Sequence, residues 1–224
     1  MSWGRAGLSH AFRIPTVSEA TRLVAGLVLS AVGTVMSLRA DIGVAPWDVF
    51  HGGIAHSTPL SFGQAVILAG FLLIGVNWIL GIPPGIGTVC NMVLIGLLDD
   101  ALLATDIGAH LANGPIVARI PVLFIGLVCI GFGAALYISA GLGAGPRDSF
   151  QLSLSKTFNL PAGVARTLIE AAAVGIGWPL GGNANWGTAA AVFLIGLIIH
   201  ASFALLHLDR TGKRTPSAPQ RQTT

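Results

Sequence analysis

Ala40-Asp41-Ile42-Gly43-Val44-Ala45-Pro46-Trp47-Asp48 returns 100 residues later as Ala140-Gly141-Leu142-Gly143-Ala144-Gly145-Pro146-Arg147-Asp148. Ala40, Gly43, Pro46 and Asp48 keep their places while the side chains between them change. Gly43 and Gly143 suit a positive φ that ends a preceding helix. Pro46 and Pro146 suit the first turn of a new helix, and Asp48 and Asp148 fall near its third position, facing free amides. The spacing therefore predicts short helices over Pro46–Ser57 and Pro146–Thr157, too short to cross a bilayer. Each is either an interfacial helix whose aspartate compensates the dipole or a re-entrant half-helix whose amino end meets a solute.

Outward from these loops, Gly26–Asp100 aligns with Gly126–His200 without a gap, and 23 of the 75 pairs are identical. Chance in this composition gives roughly 6, so the chain is an internal repeat. Gly33 matches Gly133, Gly63 matches Gly163, Trp78 matches Trp178, and Gly87-Thr88 matches Gly187-Thr188. Leu94-Ile95-Gly96-Leu97 recurs as Leu194-Ile195-Gly196-Leu197.

Only 9% of the 224 residues are charged and 53% are hydrophobic, with a mean hydropathy of +0.78. A soluble domain carries roughly 25% charged residues, so the lipid bilayer is the solvent partner. Thirty glycines fit that environment, where close backbone approach packs helices. The net charge of +3 does not imply nucleic acid, because the cations sit in the tails and beside apolar runs. Cys90 and Cys129 lie in apolar segments at unmatched repeat positions, which argues against a disulfide.

Apolar runs cover Leu23–Leu38, Phe62–Leu80, Ile86–Leu103, Ile120–Ile138, Val164–Leu180 and Thr188–Leu206. Each approaches the ~20 residues needed to cross the hydrocarbon. The expected fold is an all-α polytopic membrane protein of about six transmembrane helices. It forms two inverted three-helix repeats, each with a short extra helix after its first span. Three is odd, so the second copy enters the membrane from the opposite side, related to the first by a pseudo-two-fold axis in the membrane plane.

A cytoplasmic N-terminus puts Arg5, Arg13, Arg22, Arg147, Lys156, Arg210, Lys213, Arg214 and Arg221 inside, and only Arg39 and Arg119 outside. The positive-inside rule thus predicts both termini in the cytoplasm. The organisation follows as a cytoplasmic tail at 1–21, repeat 1 at 22–105, an outer linker at 106–118, repeat 2 at 119–206 and a disordered cytoplasmic tail at 207–224. Residues 1–21 lack the pattern of a cleaved signal, so the first helix is expected to stay as an anchor. Glycine faces such as Gly26 and Gly33 allow tight packing within the chain or in a homodimer.

The substrate-binding candidates are Gly43, Pro46, Asp48, Gly143, Pro146, Arg147 and Asp148. Arg166 and Glu170 are spaced i,i+4 and can pair, as a structural ion pair or as a coupling site, whereas their mates Val66 and Gly70 cannot. Asp99 and Asp100 fall near the outer end of the third span, where an interfacial location is expected rather than a buried acid pair. Asn77, Asn91 and Gln64 are polar points that bridge helices or line a path. The histidines lack ligand spacing, so no metal and no cofactor is expected. No nucleophile elbow, P-loop or dinucleotide fingerprint is present, and enzyme activity is not expected.

At the two Gly-x-x-Pro-x-Asp loops and at Pro84-Gly85-Ile86-Gly87-Thr88, the sequence resembles the YczE/YitT group of bacterial membrane proteins over about residues 21–206. The resemblance implies a multi-pass protein of the bacterial inner membrane and names no substrate. Inverted repeats point to a small secondary transporter or exporter of a small polar solute, working by alternating access. The alternative is an accessory or substrate-binding subunit of a larger membrane complex without autonomous transport.

Overall fold

In a computed structural model, residues 13–206 are described, so the tail assignments at 1–12 and 207–224 lie outside the described residues. The described residues form α-helices without strands: α1 (Val17–Ala40), α2 (Pro46–Ser57), α3 (Phe62–Ile79), α4 (Ile86–Leu103), α5 (Ile116–Ile138), α6 (Pro146–Thr157), α7 (Ala162–Gly177) and α8 (Trp186–Leu205). A single 3-10 turn, Leu111–Asn113, lies before α5. The chain is thus all-helical, and the two short helices begin where the prolines and loop glycines predict. Thr16 with Glu19, and Ser61 with Gln64, close capping boxes that start α1 and α3.

Five helices, α1, α3, α4, α5 and α8, are long and apolar enough to cross a membrane. The apolar run at Val164–Leu180 yields a helix of only 16 residues, shorter than the expected span. The cause is local. Gly182 N donates to Gly177 O at 2.9 Å and turns the chain back onto α2, where a Cβ on Gly177 would meet Phe50 backbone and one on Gly182 would meet Val49 O.

α1 and α5 make the most extensive helix pair and run antiparallel. Four glycines set their separation. A Cβ on Gly26 would come within 2.7 Å of Gly133 O, and one on Gly33 within 2.5 Å of Gly126 O. No side chain fits at these crossings, so the backbones touch and gain the dispersion contacts that hold helices together in lipid. Each helix also caps its partner. Arg22, early in α1, donates to Ser139 O at 2.9 Å, just past α5, while Arg119, early in α5, donates to Ala40 O at 2.7 Å, the last residue of α1. Both guanidinium groups sit at the negative ends of helix dipoles.

The cores mirror this arrangement. One cluster joins Ala40 and Ile42 to Leu123 and Leu127, and the other joins Ala140 and Leu142 to Leu23 and Leu27. The remaining helices pack around the central pair, α2 on α3 and α7, α6 on α3 and α7, and α4 and α8 on α1 and α5 respectively. Cys90 and Cys129 are free thiols.

The crossing makes a sharp prediction. Gly133→Leu, whose side chain would drive into Ser30 Oγ and Gly26 O, is expected to destabilise the purified protein by about 3 kcal/mol. Gly75→Leu, where a Cβ meets nothing within 4 Å, should stay within about 0.5 kcal/mol. Thermal unfolding in detergent distinguishes them, and equal shifts would refute the crossing.

Candidate functional site

The loops between α1 and α2 and between α5 and α6 are held by the other half of the molecule. Gly43 and Gly143 have φ of 108° and 114°, the conformation in which a side chain is strained. Gly187 N donates to Ile42 O at 3.0 Å, and Gly87 N donates to Leu142 O at 2.8 Å. Thr88 Oγ1 donates to Ala144 O at 2.7 Å, while Val44 N donates to Thr188 Oγ1 at 3.2 Å. Each Gly-Thr pair thus does two jobs. Its hydroxyl accepts from the amide that precedes its own helix, Gly85 N for Thr88 and Asn185 N for Thr188, and it also straps down the loop of the opposite half.

Strapped this way, α2 and α6 bring their amino ends to the middle of the bundle. Trp47 and Arg147, which occupy matched positions, line two cavities in common. The first, of about 60 Å³, is also walled by Asp48, His51, Val66, Gly70, Ile95, Asp99 and Pro146. The second, of about 40 Å³, is also walled by Asp148, Gln151, Arg166, Glu170, Ile195, Ile199 and Pro46. The residues named for the two cavities lie 100 positions apart, pair by pair. Cavities of this size hold a few waters and no drug-sized ligand.

Of the residues singled out from the sequence, Asp48, Pro146 and Arg147 thus meet in the first cavity. Pro46, Arg147, Asp148, Arg166 and Glu170 meet in the second. Gly43 and Gly143 serve as hinge points of the straps. Asp148 accepts from Tyr137 Oη at 2.5 Å, and Asp48 Oδ1 lies 3.8 Å from His51 Nδ1. Arg166 Nε donates to Glu170 Oε1 at 2.8 Å, with the carboxylate almost buried.

Of the two acids near the end of the third apolar run, Asp99 is buried within the protein and Asp100 is half-buried. Asp99 is 0% exposed and lines the first cavity, while Asp100 accepts from Ser61 Oγ at 2.5 Å and from Gly63 N at 2.8 Å. α3 lies along α4 so closely that a Cβ on Gly63 would collide with Gly96 O, which brings Gly63 N to Asp100 and sets Val66 and Gly70 around the cavity that Asp99 lines. Trp47, which lies within the repeated loop, and His51, Ser30 and Thr34, which lie outside it, are further lining residues. Their signal was the repeat itself, since Trp47 is the mate of Arg147 and His51 the mate of Gln151.

The two halves differ in one further respect. Gly163 and Gly196, the mates of Gly63 and Gly96, have nothing within 4 Å of an added Cβ. Between α7 and α8 lies a cleft of about 550 Å³, reached by Thr167, Glu170 and Val174 from one side and Thr188 and Val192 from the other. On the opposite flank α3 reaches α6 through Asn77, whose Nδ2 donates to Pro146 O at 2.9 Å and whose Oδ1 lies 3.1 Å from Ser153 Oγ. The mates of Asn77 and Ser153 are Gly177 and Gly53, which meet by backbone contact.

This fold and site define a polytopic helical membrane protein with a polar centre. Residues 17–203 match the profile of DUF6198, a family of unknown function, and the chain belongs to that family. It is 33% identical over 185 residues to the uncharacterized membrane protein YczE of Bacillus subtilis, covering 80% of this chain and 82% of that one. An uncharacterized protein of Haemophilus influenzae is 29% identical over 180 residues, 79% of each chain. The uncharacterized protein YyaS of Bacillus subtilis is 23% identical over 182 residues, 78% of this chain and 87% of that one. No solved structure matches the chain.

Asn77→Leu keeps the side-chain volume and leaves the Pro146 carbonyl without its donor. The expected cost is about 1 to 3 kcal/mol, the penalty of an unmet buried polar group. Thermal unfolding checks it, and an unchanged midpoint would mean that Asn77 does not tie α3 to α6.

Proposed function

We propose that the protein is a small secondary transporter, which carries a small polar solute across a bacterial inner membrane by alternating access between two inverted halves. In this reading α7 is the sixth crossing and both termini face the cytoplasm. The antiparallel run of α1 and α5, the reciprocal Gly-Thr straps and the matched linings of the two cavities support inversion. The re-entrant reading of α2 and α6 draws support from their buried amino ends, where Pro46, Asp48, Pro146 and Ser149 are shielded by neighbouring helices. Irregular backbone at depth is tolerated where protein or a cavity surrounds it.

The observation that carries the proposal is the unequal closure of matched positions. Gly63 touches Gly96, whereas Gly163 stands clear of Gly196. One fold held in two states at once is what alternating access requires of inverted halves, and exchange of those states gives the other end state. Closure of α7 on α8 would bring Gly163 to Gly196, while α3 would release Gly63 and the bonds of Asp100.

The polar centre sets the solute class. Asp48 and Asp148 flank Arg147 and Trp47, so the site presents both signs of charge beside one aromatic face. A small zwitterionic or polar solute fits that chemistry. No residue is assigned a catalytic role.

Flux of a panel of small polar solutes into proteoliposomes of the pure protein tests the reading. Asp48→Asn and Asp148→Asn are each expected to lower flux about tenfold or more, the size of a lost charge-assisted hydrogen bond. Absence of flux for every solute would overturn the transport reading. Unchanged flux in both variants would remove the aspartates from it.

A further inference from the structure

We infer that Asp99 is a proton-binding site, loaded in the conformation described here and emptied when the first cavity opens to water. Asp99 is 0% exposed, and no donor among the described residues reaches either of its carboxylate oxygens. Ser30 Oγ and His51 Nδ1 are also buried and without a hydrogen-bond partner among the described residues, and both residues line the same cavity. An ionised carboxylate sealed in a low-dielectric interior is so costly that such a group takes up a proton instead.

The first cavity has a cation in its wall but no ion pair to Asp99 among the described residues. From α2, Asp48 and His51 face the cavity, and from α6, Arg147 does. α1 offers Ser30 and Thr34, while α3 and α5 offer only apolar or small residues. Asp100, next along α4, is turned toward Ser61 and Gly63. Arg147 makes no ion pair with Asp99 among the described residues, although it lines the cavity. The second cavity solves the same problem differently, because Arg166 neutralises Glu170 at 2.8 Å. The mate of Arg166 is Val66, so Asp99 has no neighbour placed as Arg166 is to Glu170, and a bound proton supplies the neutralisation.

A metal ion is the weaker occupant. No group of three His, Cys, Asp or Glu is poised for one among the described residues, and the Arg147 guanidinium in the wall opposes a second fixed cation. The step balances simply. Hydronium gives its proton to one Asp99 oxygen, forming an O–H bond and leaving water, and the reverse transfer to water breaks that bond. A role in coupling transport to a proton gradient rests on the function proposed above, whereas protonation itself does not.

The test is infrared spectroscopy of the full-length protein in lipid nanodiscs near neutral pH. Wild type is expected to show the C=O stretch of a protonated carboxylic acid, which Asp99→Asn removes and Asp99→Glu moves without abolishing. Asp99→Glu also serves as the folded control if the asparagine variant misfolds. A wild-type spectrum with no such band would overturn the proposal. In proteoliposomes, the dependence of flux on an imposed pH gradient is expected to vanish in Asp99→Asn, and flux indifferent to the gradient in wild type would overturn coupling. A band without flux by the pure protein would sink the transport reading and leave the proton site standing.

Discussion

The antiparallel contact of α1 with α5 is the constraint on which the remaining structure depends. Gly26 and Gly33 meet Gly133 and Gly126 backbone to backbone, and no larger residue fits at any of the four. Lipid gives helices little hydrophobic reason to associate, so close approach is the main source of stability here. The crossing also fixes where each chain leaves its helix. Ile42 ends up at the start of α8 and Leu142 at the start of α4, which is why a backbone amide of each Gly-Thr pair finds a carbonyl from the other half. The straps then aim the amino ends of α2 and α6 inward.

Equivalent positions have been kept where they hold the frame and changed where they line the centre. The glycines of the crossing and the Gly-Thr straps are the same in both copies. Trp47 faces Arg147, His51 faces Gln151, Asp99 faces Ile199, and the Val66 and Gly70 pair faces Arg166 and Glu170. The frame therefore stays doubled while the centre is one-sided. Interhelical contacts diverge in the same way, with Asn77 and Ser153 bonded on one flank and Gly177 and Gly53 in contact on the other.

Much of this frame was legible in the sequence because it is written in glycine, proline and spacing. The starts of α2 and α6 follow from the loop glycines and prolines, and the apolar runs locate the five long helices. Other features were hidden for a physical reason. Asp99 reads as interfacial from its height along α4, and its burial shows only when α3 lies along α4 and sets Val66 and Gly70 around the cavity that Asp99 lines. The shortness of α7 is likewise a tertiary effect, since the run stays apolar to Leu180 while the backbone turns at Gly177 to pack on α2. Gly87 and Gly187 read as helix starts, but their partners in the opposite half lie 55 and 145 residues away in sequence and leave no local trace.

The central claim is that two copies of one fold stand in different states and exchange them. Distances between spin labels at Gln64 and Leu97 and, separately, at Val164 and Leu197 measure this most directly, because all four positions are exposed and the two pairs are repeat mates. The account predicts a dominant short distance for the first pair and a dominant long one for the second, with minor populations in which the two are swapped. Indistinguishable single distances for both pairs, unchanged across pH and lipid, would contradict it.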